Sequence, residues 1–168
     1  MTAITGGAAG TAPGAAPAPT YRLPVYKIQM VRERTVSADA KRISRPQDAA
    51  PFFAQYFEFA DREHLAILML DAKNRVIGVH TVSVGTLDTA LICPREVFKA
   101  ALLGNAAGII VAHNHPSGDP EPSPEDLAVT RQLLHAGDLL GVRVLDHLVI
   151  GDGGAFVSIA LTEGWAAL

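Results

Sequence analysis

The chain divides into segments by the period of its apolar residues. "YRLPVYKIQMVRERTV" (21–36) sets Val25, Ile28, Met30 and Val36 in loose alternation with polar residues, which predicts a strand, and Pro24 places it at a sheet edge. In "SRPQDAAPFFAQYFEFAD" (44–61), Phe52, Phe53, Tyr56, Phe57 and Ala60 recur at helical spacing, with Ser44 or Asp48 as the cap. Two apolar runs, about 63–71 and 75–84, flank "DAKN" and predict a hairpin. "TALIC" (89–93) reads as a short strand stopped by Pro94. A helix over 95–106 presents Val97, Ala100, Ala101 and Leu103 on one face and ends at Gly104. "AGIIVAH" (107–113) is unbroken and β-branched, the signature of a central strand buried on both faces. "SPEDLAVTRQLLHAG" (123–137) carries a cap, a proline at its first helical position and a closing glycine, Gly137. "GVRVLDHLVIG" and "AFVSIA" predict two last strands around a "GDGG" turn. Strands mixed with helices in this order predict an α/β (α+β) domain, a single mixed β-sheet flanked by about three helices.

Composition narrows this further. A chain of 168 residues with 49% apolar and 18% charged residues suits one globular domain with a sizeable core. That domain is expected over 21–168. The first twenty residues, "MTAITGGAAGTAPGAAPAPT", lack the basic start and apolar core of a signal peptide. They also lack side chains that offset the entropy of ordering, and predict a disordered Ala/Gly/Pro-rich tail over 1–20. The formal net charge of −3 gives no general attraction to nucleic acid or acidic membranes. Arg22, Lys27, Arg32 and Arg34 form a local basic group, read as the polar face of the first strand. No apolar run approaches the roughly 18 residues of a membrane helix. The single cysteine, Cys93, excludes an internal disulfide and suits a reducing cytoplasm; within "ALIC" it reads as a small buried side chain.

The chemistry concentrates in "HNHPSGDPEPSPED" (113–126), directly behind the buried strand. Histidines at i and i+2 on a strand point to the same side, so His113 and His115 can converge on one cation. A catalytic zinc takes three protein ligands and keeps one position open. Asp126 is the candidate third ligand, held at the start of a helix by Pro122, Ser123 and Pro124; Asp119, Glu121 and Glu125 are its rivals. A second reading of the same residues is structural. Ser123 and Asp126 have the spacing of a capping box, in which the carboxylate bonds back to the serine amide. His147, in "LDHLVI", reads either as a support for the site or as a satisfied strand histidine.

These residues resemble the JAMM motif of the MPN/JAB metallopeptidases, H-x-H-x7-S-x2-D, at His113, His115, Ser123 and Asp126. With "VSVGT", "PREVFKAAL" and "DHLVIG", the stretch from about Tyr21 onward resembles the RadC-like JAB domain proteins. The resemblance implies a JAB/MPN fold of cytidine-deaminase-like architecture and a Zn2+ cofactor held by His113, His115 and Asp126. It implies a glutamate general base at the start of a neighbouring strand, a place that Glu63 matches, with Glu58 and Glu96 as alternatives. Ser123 would then help stabilise an oxyanion. The implied activity is a zinc-dependent metallohydrolase of peptidase or isopeptidase type, using metal-activated water on a peptide or isopeptide substrate. The alternative is a non-catalytic, metal-stabilised binding module associated with DNA repair or mobile-element functions. Full-length members of the family usually carry an N-terminal helical region resembling helix-hairpin-helix modules, and residues before Tyr21 do not supply one. DNA as a partner therefore has little support in these residues.

Overall fold

Uninterrupted apolar runs become the middle of the sheet. The computed structural model describes residues 22–85 and 92–164. Strands β1 (His64–Leu70), β2 (Val76–Val84), β3 (Gly108–Asn114), β4 (Arg143–Ile150) and β5 (Phe156–Ser158) form one mixed sheet in the order β2-β1-β3-β4-β5. Every pairing is antiparallel except β3 with β4, which run parallel. Parallel neighbours need a crossover, and helix α3 (Pro124–Leu140) supplies it. Helix α1 (Pro46–Tyr56), through Phe52 and Phe53 and with Phe57 at its C-cap, covers one face against Ala66, Leu68, Ile110, Ala112 and Leu148. Helix α2 (Pro94–Leu103) and α3 cover the other through Val97, Phe98 and Leu133, against Leu65, Ile67, Ile109 and Val111. With both faces covered, β1 and β3 are almost wholly buried, which is why their sequences do not alternate. β2 lies at an edge and does alternate in part.

The hairpin between β1 and β2 turns at "DAKN". Asp71 Oδ1 accepts from the amides of Lys73 and Arg75 at 2.8 and 2.9 Å, and Asn74 takes a left-handed φ of 56°. At the head of α1, neither Ser44 nor Asp48 is the first cap. Arg45 occupies that position, and Asp48 reaches back from inside the first turn to accept the amides of Ser44 (2.8 Å) and Arg45 (3.2 Å).

Three other expectations are corrected. The arm at 22–36 forms no strand: Leu23, Val25, Tyr26, Ile28 and Val31 are exposed, and its approach to the sheet ends in the single bridge Arg42–Arg75. Its apolar residues fall on both parities, odd at 23 and 25, even at 26, 28 and 30, so neither face is consistently apolar. Arg22, Lys27, Arg32 and Arg34 therefore lie on an exposed arm and not on a strand face. Helix α3 runs through Gly137 to Leu140 and stops at Gly141, whose φ of 69° closes it in the left-handed region. Gly137 instead marks a close approach: a Cβ there would lie 2.6 Å from the Val142 main-chain oxygen. Cys93 is half-buried at the cap of α2, and Ile92 with it forms no strand; residues 86–91 lie outside the described residues, as does the 1–20 tail. A four-residue helix, α4 (Ile159–Thr162), continues β5. No helix among the described residues is long and apolar enough to cross a membrane.

Candidate metal centre

The site forms where the end of β3 meets the start of α3. His113 is on β3, on the α3 face, and is fully buried; His115 follows it just past the strand, half-buried. Their Nε2 atoms lie 3.0 Å apart. Asp126, on the first turn of α3, brings Oδ1 within 3.2 Å of His113 Nε2 and Oδ2 within 3.5 Å of His115 Nε2. Glu63 Oε1 is 3.9 Å from His115 Nε2, and ligand atoms of Glu63, His113 and His115 all fall within 4.8 Å of one another. Five of the residues read from the sequence thus meet here, Ser123 among them through Asp126.

The loop after β3 holds His115 in place. Its amide donates to Ile150 at the end of β4, and its Nδ1 is 2.7 Å from the main-chain oxygen of Asp119. That turn depends on Gly118, whose φ is 83° and whose Cβ, if present, would strike the carboxylate of Asp152. Ser123 and Asp126 form the reciprocal capping box. The Ser123 amide and hydroxyl both donate to Asp126 Oδ2, at 2.7 and 2.6 Å, and the Asp126 amide donates back to Ser123 Oγ at 3.1 Å. The structural and ligand readings of Asp126 therefore coexist: Oδ2 is held by the cap while Oδ1 faces His113. Burial pushes the Asp126 carboxyl up, but the adjacent His113 imidazole, whenever it carries a proton on Nε2 in place of a metal, and the bonds from Ser123 outweigh it. They hold the group well below the ordinary carboxylate range.

Asn114 was not singled out in the sequence, yet it braces the general-base candidate. Its Oδ1 accepts from the His64 amide at 2.8 Å and its Nδ2 donates to the Arg62 carbonyl at 3.0 Å, so its two bonds straddle Glu63. The Glu63 carbonyl in turn accepts from the Gly85 amide. Among the described residues, the cluster of ligand atoms includes neither of the alternatives to Glu63. Glu96 pairs with Lys99 on α2, and Glu58 is exposed beyond the end of α1. Asp119 Oδ1 accepts from the Glu121 amide, and Asp119, Glu121 and Glu125 are all exposed. His147 Nε2 lies 2.9 Å from His113 Nδ1, and its Nδ1 is 2.6 Å from the hydroxyl of Thr130. Burial pushes the His147 imidazole well below its ordinary value, with His113 acting in the same sense, which keeps the ring neutral. Thr130, four residues after Asp126 on the same helix face, is the other residue that sequence reasoning passed over. His64 stands edge-on to Phe57, while His80 and His135 are exposed and away from the site. A cleft of about 640 Å³ opens beside His115, lined by Asn114, Phe57, Glu58, Gly151 and Asp152 among others.

The donor set fits a divalent metal. A carbonyl only accepts, so the Asp119 oxygen takes the Nδ1 hydrogen of His115, and the nitrogen left to offer a lone pair to a metal is Nε2. That lone pair faces the His113 nitrogen and two carboxylates, an assembly of acceptors that is repulsive without a cation or proton among them. Imidazole and carboxylate together suit zinc and its neighbours in the first transition row.

A mixed sheet whose central strand ends in two convergent imidazoles, opposite an acid on a helix N-terminus, defines a JAMM-type domain with a candidate metal site. The family model of the RadC-like JAB domain matches residues 43–165, and the chain belongs to that family. It is similar to a UPF0758 protein of Moorella thermoacetica, 52% identical over 111 residues, 66% of this chain and 48% of the relative. A UPF0758 protein of Caldanaerobacter subterraneus is 47% identical over 111 residues with the same coverage of both chains. One of Desulforudis audaxviator is 47% identical over 119 residues, 71% of this chain and 51% of the relative. The chain spans about half the length of these curated relatives.

Proposed function

We propose that the domain is a zinc-dependent hydrolase of amide bonds, of peptidase or isopeptidase type. The observation that carries this reading is the convergence of His113, His115 and Asp126 with a further carboxylate, Glu63, at 3.9 Å from His115. His113, His115 and Asp126 would hold the ion. Bound there, zinc supplies Lewis acidity and lowers the pKa of a water in its open position to about 7. Glu63 lies farther out than Asp126 and is braced on both sides by Asn114, a placement suited to accepting a proton from water and returning it to a leaving amine. The Ser123 hydroxyl donates to Asp126 Oδ2, so in oxyanion stabilisation it would turn from that bond toward the substrate. The cleft beside His115 gives a substrate chain room to approach.

Metal analysis of protein purified without chelators tests the centre. The wild type should retain close to one zinc, and His113→Ala or Asp126→Ala should retain none; metal content unchanged in those variants rejects the ligand set. Glu63→Gln should keep its zinc and lose cleavage of a mixed peptide library followed by mass spectrometry. Loss of zinc in that variant would make Glu63 a ligand instead of the base. Zinc retained with no cleavage by the wild type would favour the non-catalytic binding module.

A further inference from the structure

Thr130 is buried on α3, one turn beyond Asp126, and its hydroxyl has two partners. These are the Asp126 main-chain carbonyl at 2.6 Å and His147 Nδ1 at 2.6 Å. The carbonyl can only accept, so the one hydroxyl proton goes to Asp126. The Thr130 oxygen must then accept from His147 Nδ1–H. This assigns the lone pair of His147 to Nε2, which accepts from His113 Nδ1–H at 2.9 Å. The other nitrogen of His113, Nε2, is left bare and faces His115 and Asp126.

We propose that Thr130 and His147 are positioning residues of the metal centre: through this one-way chain, the main-chain carbonyl of Asp126 fixes the tautomer and ring orientation of His113. The proposal rests on the metal reading given above. The chain runs from one ligand's backbone to another ligand's ring, so the backbone of one helps to orient the ring of the other. His113 could otherwise carry its hydrogen on Nε2, the tautomer that cannot ligate at that atom. All three side chains between the carbonyl and the site are buried, so water does not compete for any link.

Two measurements decide it. Long-range proton–nitrogen NMR of the zinc-loaded wild type should show His147 protonated at Nδ1 with an acceptor Nε2; protonation at Nε2 reverses the chain and overturns the proposal, whatever the metal content. Thr130→Val keeps the volume and removes the hydroxyl, and should weaken zinc binding by about 10-fold or more, read by competition with a chelating dye. Thr130→Ser keeps the hydroxyl and should restore wild-type affinity. If Thr130→Val binds zinc as tightly as the wild type, the chain does not position the ligand, though the zinc site stands. A folded wild type that takes up no zinc overturns the metal reading itself, and this inference with it.

Discussion

Asp146 and His147 are adjacent on β4 and serve opposite sides of the sheet. His147 reaches toward His113, while the Asp146 carboxylate accepts from the Ser158 hydroxyl at 2.9 and 2.8 Å and from the amides of His147 and Ala160. Burial raises the Asp146 pKa, and the Ser158 bond and the two amides only partly oppose it. A carboxyl whose folded pKa is raised contributes stability that is fully present below its unfolded value, about 3.9, and is lost as pH rises through the folded value. Asp146→Asn removes that titration. Its amide group can replace Oδ2, whose partner is the Ser158 hydroxyl, an atom that can also accept. Urea denaturation at about pH 3 and about pH 7 should therefore show the variant gaining on the wild type as pH rises. An equal difference at both pH values would show that burial does not perturb this carboxyl. At this scale the sequence made the convergence of the candidate ligands readable, because the i, i+2 rule puts His113 and His115 on one side and a capped helix start fixes Asp126. It did not reveal Thr130 and His147 as partners. Their meeting depends on the register in which β4 lies beside β3, Val111 opposite His147, and on α3 crossing above both strands.

Elements were legible where local pattern and burial agree. The β1–β2 hairpin and β3 stand within a residue of their expected bounds because each carries its own signal, and α2 ends at Leu103 with Gly104 as its cap, three residues short of the expected span. The arm at 22–36 shows the limit: its alternation changes parity between Val25 and Tyr26, so it offers no single apolar face for the sheet to cover. Gly137 shows another. Glycine is a helix stop when its backbone turns left-handed, but here it stays helical so that the chain can fold back at Gly141. The Val142 amide bonds to the Gly137 carbonyl at 3.0 Å. Gly137→Ala sets two effects against each other. Helix propensity favours alanine by about 1 kcal/mol. Against it, the new methyl would stand 2.6 Å from the Val142 oxygen, 3.1 Å from Val144 Cγ2 and 3.3 Å from Phe98 Cζ. The nearest obstacle is backbone, which cannot rotate away, so overpacking of about 1–3 kcal/mol should prevail. A lower urea midpoint is the expected result; a higher one would mean that α3 and β4 can part without cost.

Over the whole molecule, the candidate centre gathers segments far apart in the chain: the approach to β1 at Glu63, the end of β3 at His113, and the start of α3 at Asp126, with β4 behind them through His147. In the unfolded chain these groups are scattered, so an ion held by three of them binds the folded state almost exclusively. Mass action then turns affinity into stability: free zinc at 100 times its Kd should stabilise the fold by about 2.7 kcal/mol. The metal-free protein should still fold, since two apolar cores pack the sheet on both faces without help from the site. Chelator-treated wild type is therefore expected to unfold cooperatively at a lower urea midpoint than the zinc-loaded form, and His113→Ala should show one midpoint whether zinc is added or not. A zinc-induced shift that survives in His113→Ala would place the stabilising ion somewhere other than at the end of β3.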